Sequence, residues 1–319
     1  MSGYHESGLL PVSGYHESGL LPVSGYHEFS MLAENASEVG LAWEGPPPVA
    51  RSRVDLPSGL RLSAIVWGQG SPRVVFIHGG AQNAHTWDTV VLALGEPAVA
   101  VDLPGHGHSD WRSEHDYWPP SMADDVAVAV GDLAPEAELV VGMSLGGLTA
   151  ICLGAQHPEL VRSLAVVDMT PGTDHAKAEP IVEFISGPQT FESFDDILAR
   201  TVEFNPTRSE SSLRRGIIHN AREQTDGSWT WRWDPVRDWK LTEPGGGPEF
   251  SSLWAAVDAL TCPVVLYRGA DSGVVGDEDV EEFLRRQPDA EVVVVAGAGH
   301  SIQGDQPLEL ARLLATRLG

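Results

Sequence analysis

The chain has 319 residues, 42% of them hydrophobic, with 20 Lys and Arg against 45 Asp and Glu for a formal charge of −25. That is enough chain to bury the core of one large α/β domain or two smaller ones, and the composition argues against wholesale disorder. The acidic surface repels phosphate backbones and anionic lipid headgroups, which speaks against nucleic-acid or membrane-surface partners. Lys177 and Lys240 are the only lysines, so no polybasic patch can be assembled. No apolar run approaches the ~18 residues needed to span a bilayer, and no basic stretch leads into an apolar segment as in a secretory signal.

Ser2–Val12 recurs unchanged as Ser13–Val23, and SGYHE begins a third time at Ser24–Glu28. Gly, Pro and Ser in every unit oppose a helix, so residues 1–28 read as a disordered leader. His5, His16 and His27 recur with the repeat, but no carboxylate or thiol shell accompanies them to build a metal site. Met31 follows directly, and the upstream part is expected to be dispensable for the fold. Residues 29–50, with Pro46-Pro47-Pro48, read as a linker or loosely docked arm.

From Arg51 onward, β-rich runs follow at 61–67, 73–77, 98–102, 138–141, 163–168, 263–268 and 291–296. Several are continuously apolar, as strands buried on both faces are. Helical stretches lie at 121–133, 145–156, 277–287 and 305–318. Strand and helix alternate, so the expected fold class is α/β with a doubly wound, mostly parallel sheet. The alternation fails across 171–248, where helices are expected at 191–204 and 209–224, followed by Trp229, Trp231, Trp233, Trp239 and Gly245-Gly246-Gly247. This reads as a lid inserted between two core parts, 51–170 and 249–319.

Cys152 and Cys262 form neither a CxxC nor a metal-spaced cluster, and read as small hydrophobes in a reducing compartment. The expected location is therefore cytoplasmic.

The strongest local signal is Gly142-Met143-Ser144-Leu145-Gly146-Gly147, set between a strand and a helix. G-x-S-x-G in that setting is a nucleophile elbow: small flanking residues permit a sharp turn that lifts the serine hydroxyl out of the backbone. The N–H of Leu145 and the positive end of the following helix then face a developing oxyanion.

With three further segments the chain resembles the α/β-hydrolase superfamily from about residue 51 onward. His78-Gly79-Gly80, with Trp87 downstream, resembles the family's HG oxyanion motif. Asp102-Leu103-Pro104-Gly105-His106-Gly107-His108-Ser109 resembles its D-x-P-G-x-G-x-S loop. Gly297-Ala298-Gly299-His300 follows the last strand, where the family keeps its catalytic histidine. The resemblance implies Ser144 as nucleophile, His300 as general base, and an oxyanion hole from the N–H groups of Gly80 and Leu145. A serine hydroxyl is a weak nucleophile until an imidazole takes its proton.

For the acid, many members carry G-x-x-D after the penultimate strand, but here Gly269-Ala270-Asp271-Ser272 puts Asp271 one position early. Other members carry it at the end of the strand after the elbow helix, where Asp168 stands 24 residues beyond Ser144. A carboxylate ending an apolar strand needs a partner. Asp168 is therefore favoured and Asp271 is the alternative.

His106-x-His108-x-Asp110 imitates a metallohydrolase motif, but Trp111 stands where a further His belongs and the loop is accounted for by the D-x-P-G motif. No metal and no cofactor is expected, since no Walker A or strand-linked G-x-G-x-x-G occurs. Met143, Trp229, Trp231 and Trp233 are weaker candidates for lining an apolar pocket, with packing within the lid as the plain alternative for the tryptophans. The acidic run from Asp277 to Glu282 suits a helix N-terminus.

The expected function is a serine hydrolase acting on a small or medium carboxylic ester or lactone. C–C bond hydrolysis and cofactor-free perhydrolysis use the same triad. A third reading is a ligand-binding α/β-hydrolase fold without turnover. Oligomeric state is not legible.

Overall fold

Continuously apolar segments order themselves into one central sheet because each can be covered on both faces. A computed structural model of the chain describes residues 26–173, 175–206, 208–235 and 250–319. The strands are β1 (Val49–Asp55), β2 (Arg61–Trp67), β3 (Val74–Ile77), β4 (Ala98–Asp102), β5 (Leu139–Met143), β6 (Leu164–Val167), β7 (Thr190–Phe191), β8 (Ala221–Glu223), β9 (Trp229–Trp231), β10 (Val264–Gly269) and β11 (Glu291–Val295). Eight of them form a sheet in the order β1-β2-β4-β3-β5-β6-β10-β11, and only β2 runs against the others.

The helices are α1 (Leu32–Glu38), α2 (Asp88–Leu94), α3 (Pro119–Leu133), α4 (Leu145–Gln156), α5 (His175–Ser186), α6 (Phe194–Phe204), α7 (Glu210–Asn220), α8 (Trp254–Asp258), α9 (Asp277–Arg286), α10 (Ile302–Asp305) and α11 (Pro307–Ala315). Strand periodicity divides the core in two. Val75 and Ile77 of β3 join the cluster under α3, α4 and α8, while Val74 and Phe76 join the cluster under α2 and α11. None of the described helices is long and apolar enough to cross a membrane.

Part of the stretch read as a linker or loosely docked arm packs on the main domain. Leu32 of α1 is buried in the second cluster, with Phe29 packed beside it against Trp67. β1 begins at Val49, two residues before the expected start of the core, and pairs along its whole length with β2. Its charged residues and the preceding prolines disguised an edge strand in which only Arg51 and Val54 are buried.

Between β6 and β10 the chain leaves the sheet to build α5, α6 and α7 and the small antiparallel sheet β7-β9-β8. This insertion has its own core of Phe191, Ile197, Leu213, Ile217, Trp229, Trp231 and Trp233, to which Ala81 of the main domain contributes. Trp239, Lys240, Gly245-Gly246-Gly247 and nearly all of the repetitive leader, including His5 and His16, lie outside the described residues.

Candidate active site

The turn from β5 into α4 places Ser144 at φ 53°, ψ −122°, a left-handed conformation costly for a residue with a Cβ. The flanking glycines make the turn possible. A Cβ on Gly142 would lie 2.3 Å from the Gly146 carbonyl oxygen, and one on Gly146 would lie 2.3 Å from that of Ile77. The elbow is thereby pressed against the end of β3, next to His78-Gly79-Gly80. A Cβ on Gly79 would stand 3.1 Å from that of Ser144.

Folding brings three distant residues into one chain of contacts. His300 Nε2 is 3.0 Å from Ser144 Oγ, and His300 Nδ1 is 2.9 Å from Asp168 Oδ2. Asp168 is fully buried at the end of β6 with φ 47°. It also accepts from the Gly269 N–H at 2.8 Å and from the Ser272 hydroxyl at 2.5 Å. Three donors satisfy a buried carboxylate that would otherwise be costly. Asp271 takes no part: it is exposed, and its backbone N–H donates to Ala298.

The remaining sequence candidates fall in different places. Leu145 opens α4, and Gly80 lies in the loop after β3. Met143 is buried, its sulfur filling the space above Gly79. Trp229, Trp231 and Trp233 are buried in the insertion, where Trp231 and Trp233 stack at 4.3 Å. Trp229 sits edge-on to Phe194, and β9 ends before Trp233, so the three do not line one strand face. His106, His108 and Asp110 diverge: His106 Nδ1 meets the Pro104 carbonyl, the His108 N–H donates to Asp102, and Asp110 pairs with Arg61.

Sequence reasoning missed the residues that shape the loop after β3. Ala81 has φ 58°, and its carbonyl accepts from Asn220 Nδ2 at 2.7 Å. Asn220 Oδ1 in turn accepts from Asn83 Nδ2 at 3.0 Å, tying the loop to the end of α7. Gln82 Oε1 accepts from the Gly79 N–H at 3.2 Å. No short motif surrounds Asn220, which reaches its partner across 139 residues of sequence.

Behind this loop lies a buried charge cluster. Arg51 donates to Glu28 at 2.5 Å and to Asp102 at 2.6 Å, and His85 stands between Asp88 at 2.9 Å and Glu28 at 3.1 Å. Burial alone would lower the His85 pKa, but Asp88 and Glu28 overcome it and raise it to about 9. Burial would raise the Asp102 pKa, yet Arg51, His108 and His78 bring it down to about 2. His85, Asp88 and His219 have potential ligand atoms within 4.8 Å of one another. The two imidazoles stack at 3.6 Å and 12°, which makes their in-plane lone pairs parallel rather than convergent, and both His85 nitrogens already face carboxylates. The residues suit a proton-holding cluster better than a metal centre.

A cavity of about 630 Å³ adjoins the site, with Gln82, Gly299 and Trp231 among its walls. Neither Ser144 nor His300 lines it.

The α/β hydrolase family model matches residues 74–313. The chain belongs to the α/β hydrolase family. It is 45% identical over 292 residues to esterase Rv0045c of Mycobacterium tuberculosis, covering 89% of this chain and 93% of that protein. A solved structure of that esterase superposes with a TM-score of 0.80, covering 92% of this chain and 98% of the other. The 2-(acetamidomethylene)succinate hydrolase of Mesorhizobium japonicum is 29% identical over 251 residues, 77% of this chain and 88% of that protein. The eight-stranded sheet with a single opposed strand is thus an α/β-hydrolase sheet, and the insertion follows its sixth strand.

Proposed function

We propose that the protein is a serine hydrolase of small or medium carboxylic esters, lactones included, with Ser144, His300 and Asp168 as its triad. The observation that carries this reading is the continuous contact from Ser144 Oγ through His300 to Asp168, at 3.0 and 2.9 Å. The likeness to an esterase at 45% identity supports it.

The chemistry follows from those atoms. Ser144 Oγ attacks the ester carbonyl while His300 Nε2 takes its proton, and Asp168 holds Nδ1–H and stabilises the imidazolium. The oxyanion forms against the N–H groups of Gly80 and Leu145, helped by the positive end of α4. His300 returns the proton to the departing alkoxide, leaving an acyl-Ser144. A water, deprotonated by His300, then attacks the acyl carbon, and collapse of the second tetrahedral intermediate releases the acid and restores Ser144. In this reading the insertion after β6 is a lid over the cleft, and substrate enters between it and the loop after β3. Two free cysteines, Cys152 buried, fit a reducing compartment such as the cytoplasm.

Labelling with a fluorophosphonate probe, wild type beside Ser144→Ala, tests the nucleophile without knowledge of the substrate. Modification confined to Ser144 and absent from the variant is the expected result. A folded wild type that neither labels nor turns over simple esters removes the reading.

A further inference from the structure

Among the described arginines whose Nε is buried without a hydrogen-bond partner, Arg208 is the one that lines the cavity. It lies in the insertion between α6 and α7 and lines the cavity beside the Ser144–His300 pair. Nη2 donates to Ser212 Oγ at 2.6 Å. Its Nε is buried without a hydrogen-bond partner, and no carboxylate pairs with the guanidinium among the described residues. Burial lowers its pKa, with Asp305 and Glu38 opposing only from a distance.

Four carboxylates share the cavity wall, and none is paired with Arg208: Glu38 is held by Arg215 and Ser209, Asp305 Oδ2 accepts from the Gly299 N–H, Asp88 faces His85, and Asp271 is exposed. Space for the guanidinium is made by Gly304, where a Cβ would fall 2.8 Å from Arg208 Nη1. A desolvated guanidinium that lacks an anion is expensive, and its planar fork matches a carboxylate.

We propose that this cavity receives a carboxylate carried by the substrate, with Arg208 as its anchor, so that the preferred esters are half-esters of dicarboxylic acids. The proposal rests on the hydrolase reading for the position of the ester, because Gln82 and Gly299 connect the cavity wall to the two ends of the Ser144–His300 pair. Arg208 is a specificity-determining residue in this arrangement and takes no part in proton transfer.

The test is a series of monomethyl esters of dicarboxylic acids, from succinate to suberate, each beside the neutral methyl ester of the matching monocarboxylic acid. Binding is measured by calorimetry on Ser144→Ala, and kcat/KM on the wild type. At one chain length the half-ester is expected to bind about tenfold to a hundredfold more tightly than its neutral partner. Adding Arg208→Gln to Ser144→Ala should collapse that ratio to about unity, and Arg208→Lys should keep part of it. Gly304→Ala, which displaces the guanidinium without removing it, should lower the ratio as well, and stands in if Arg208→Gln fails to fold.

Equal binding of both series at every length overturns the proposal, as does a preference that survives Arg208→Gln. Turnover of neutral esters without any carboxylate preference leaves the hydrolase reading intact and removes this one. Preferential binding without turnover by the wild type keeps the carboxylate site and removes the hydrolase reading.

Discussion

The hydroxyl of Ser272 lies 2.5 Å from the carboxylate of Asp168. Ser272 is the third residue after Gly269, the position at which many relatives carry their acid. Here that position supplies a hydroxyl donor, and the carboxylate that faces His300 Nδ1 stands at the end of β6. The expected result is that Asp168→Asn lowers kcat by about 10³-fold or more, because the imidazole loses its orienting partner. Asp271→Asn should stay within about threefold, and Ser272→Ala should cost about two- to tenfold in kcat with little change in KM. Steady-state kinetics on one ester decide this; comparable losses for Asp168→Asn and Asp271→Asn would contradict the geometry.

The elbow leaves no room for a methyl group at Gly146, whose added Cβ would press on the carbonyls of Ile77 and His78 at 2.3 and 2.4 Å. Both neighbours are backbone and cannot swing aside. Gly146→Ala should destabilise the fold by about 3 kcal/mol or more, read as a fall in the urea midpoint. Gly131→Ala, in the last turn of α3 with open space around it, should leave the midpoint unchanged or raise it slightly.

Asn220 ties the last residue of α7 to the left-handed Ala81 beside Gly80. Asn220→Ala should let that loop drift and lower kcat about tenfold with a smaller effect on KM, since the oxyanion is bound in the transition state rather than the ground state. A variant altered only in KM would place the residue in substrate binding instead.

His85 holds its proton up to about pH 9 in the folded protein because of Asp88 and Glu28, against about 6.5 when unfolded. A raised pKa contributes stability that is fully present below pH 6.5 and is lost as pH climbs through 9. Unfolding free energy should therefore fall by up to about 3 kcal/mol over that interval from this group. Urea titrations at pH 6.5 and 9 on wild type and His85→Gln check it: the variant should show the flatter pH profile.

A chain shortened to begin at Met31 loses Glu28 and Phe29, and with them one of the two carboxylates that flank Arg51. It should still fold, with Arg51 held by Asp102, but at a cost of about 1–3 kcal/mol. Thermal unfolding of the two chains side by side shows whether the arm matters. Identical stability would mean that these contacts contribute nothing.

Most of the sheet was legible because β3 to β6 and β10 are runs of Val, Leu and Ala with both faces covered, and such runs announce themselves locally. β1 was not, since Arg51, Arg53 and Asp55 follow three prolines and only Arg51 and Val54 are buried. α1 escaped for a related reason: Met31 offers no side-chain cap, and few of its residues reach the core. In the site, Ser144 and His300 stand in short motifs whose glycines have a steric purpose. Asp168 could be ranked above Asp271 by spacing, but only the convergence of Gly269, Ser272 and His300 on its carboxylate explains why. Asn220, Gln82 and Arg208 carry no local signal, because their surroundings are assembled from segments more than a hundred residues apart or from a loop without a pattern.

The insertion divides the proposed triad as well as the sheet. Ser144 and Asp168 precede it and His300 follows it, while β6 and β10 meet through the register from Val264 with Leu164 to Tyr267 with Val167. On the proposed triad, two polypeptides made by severing the chain inside the insertion should each be inert. Mixed together, they would recover turnover only as β10 zips alongside β6, so enzymatic rate would become a direct gauge of how completely the two halves reassemble.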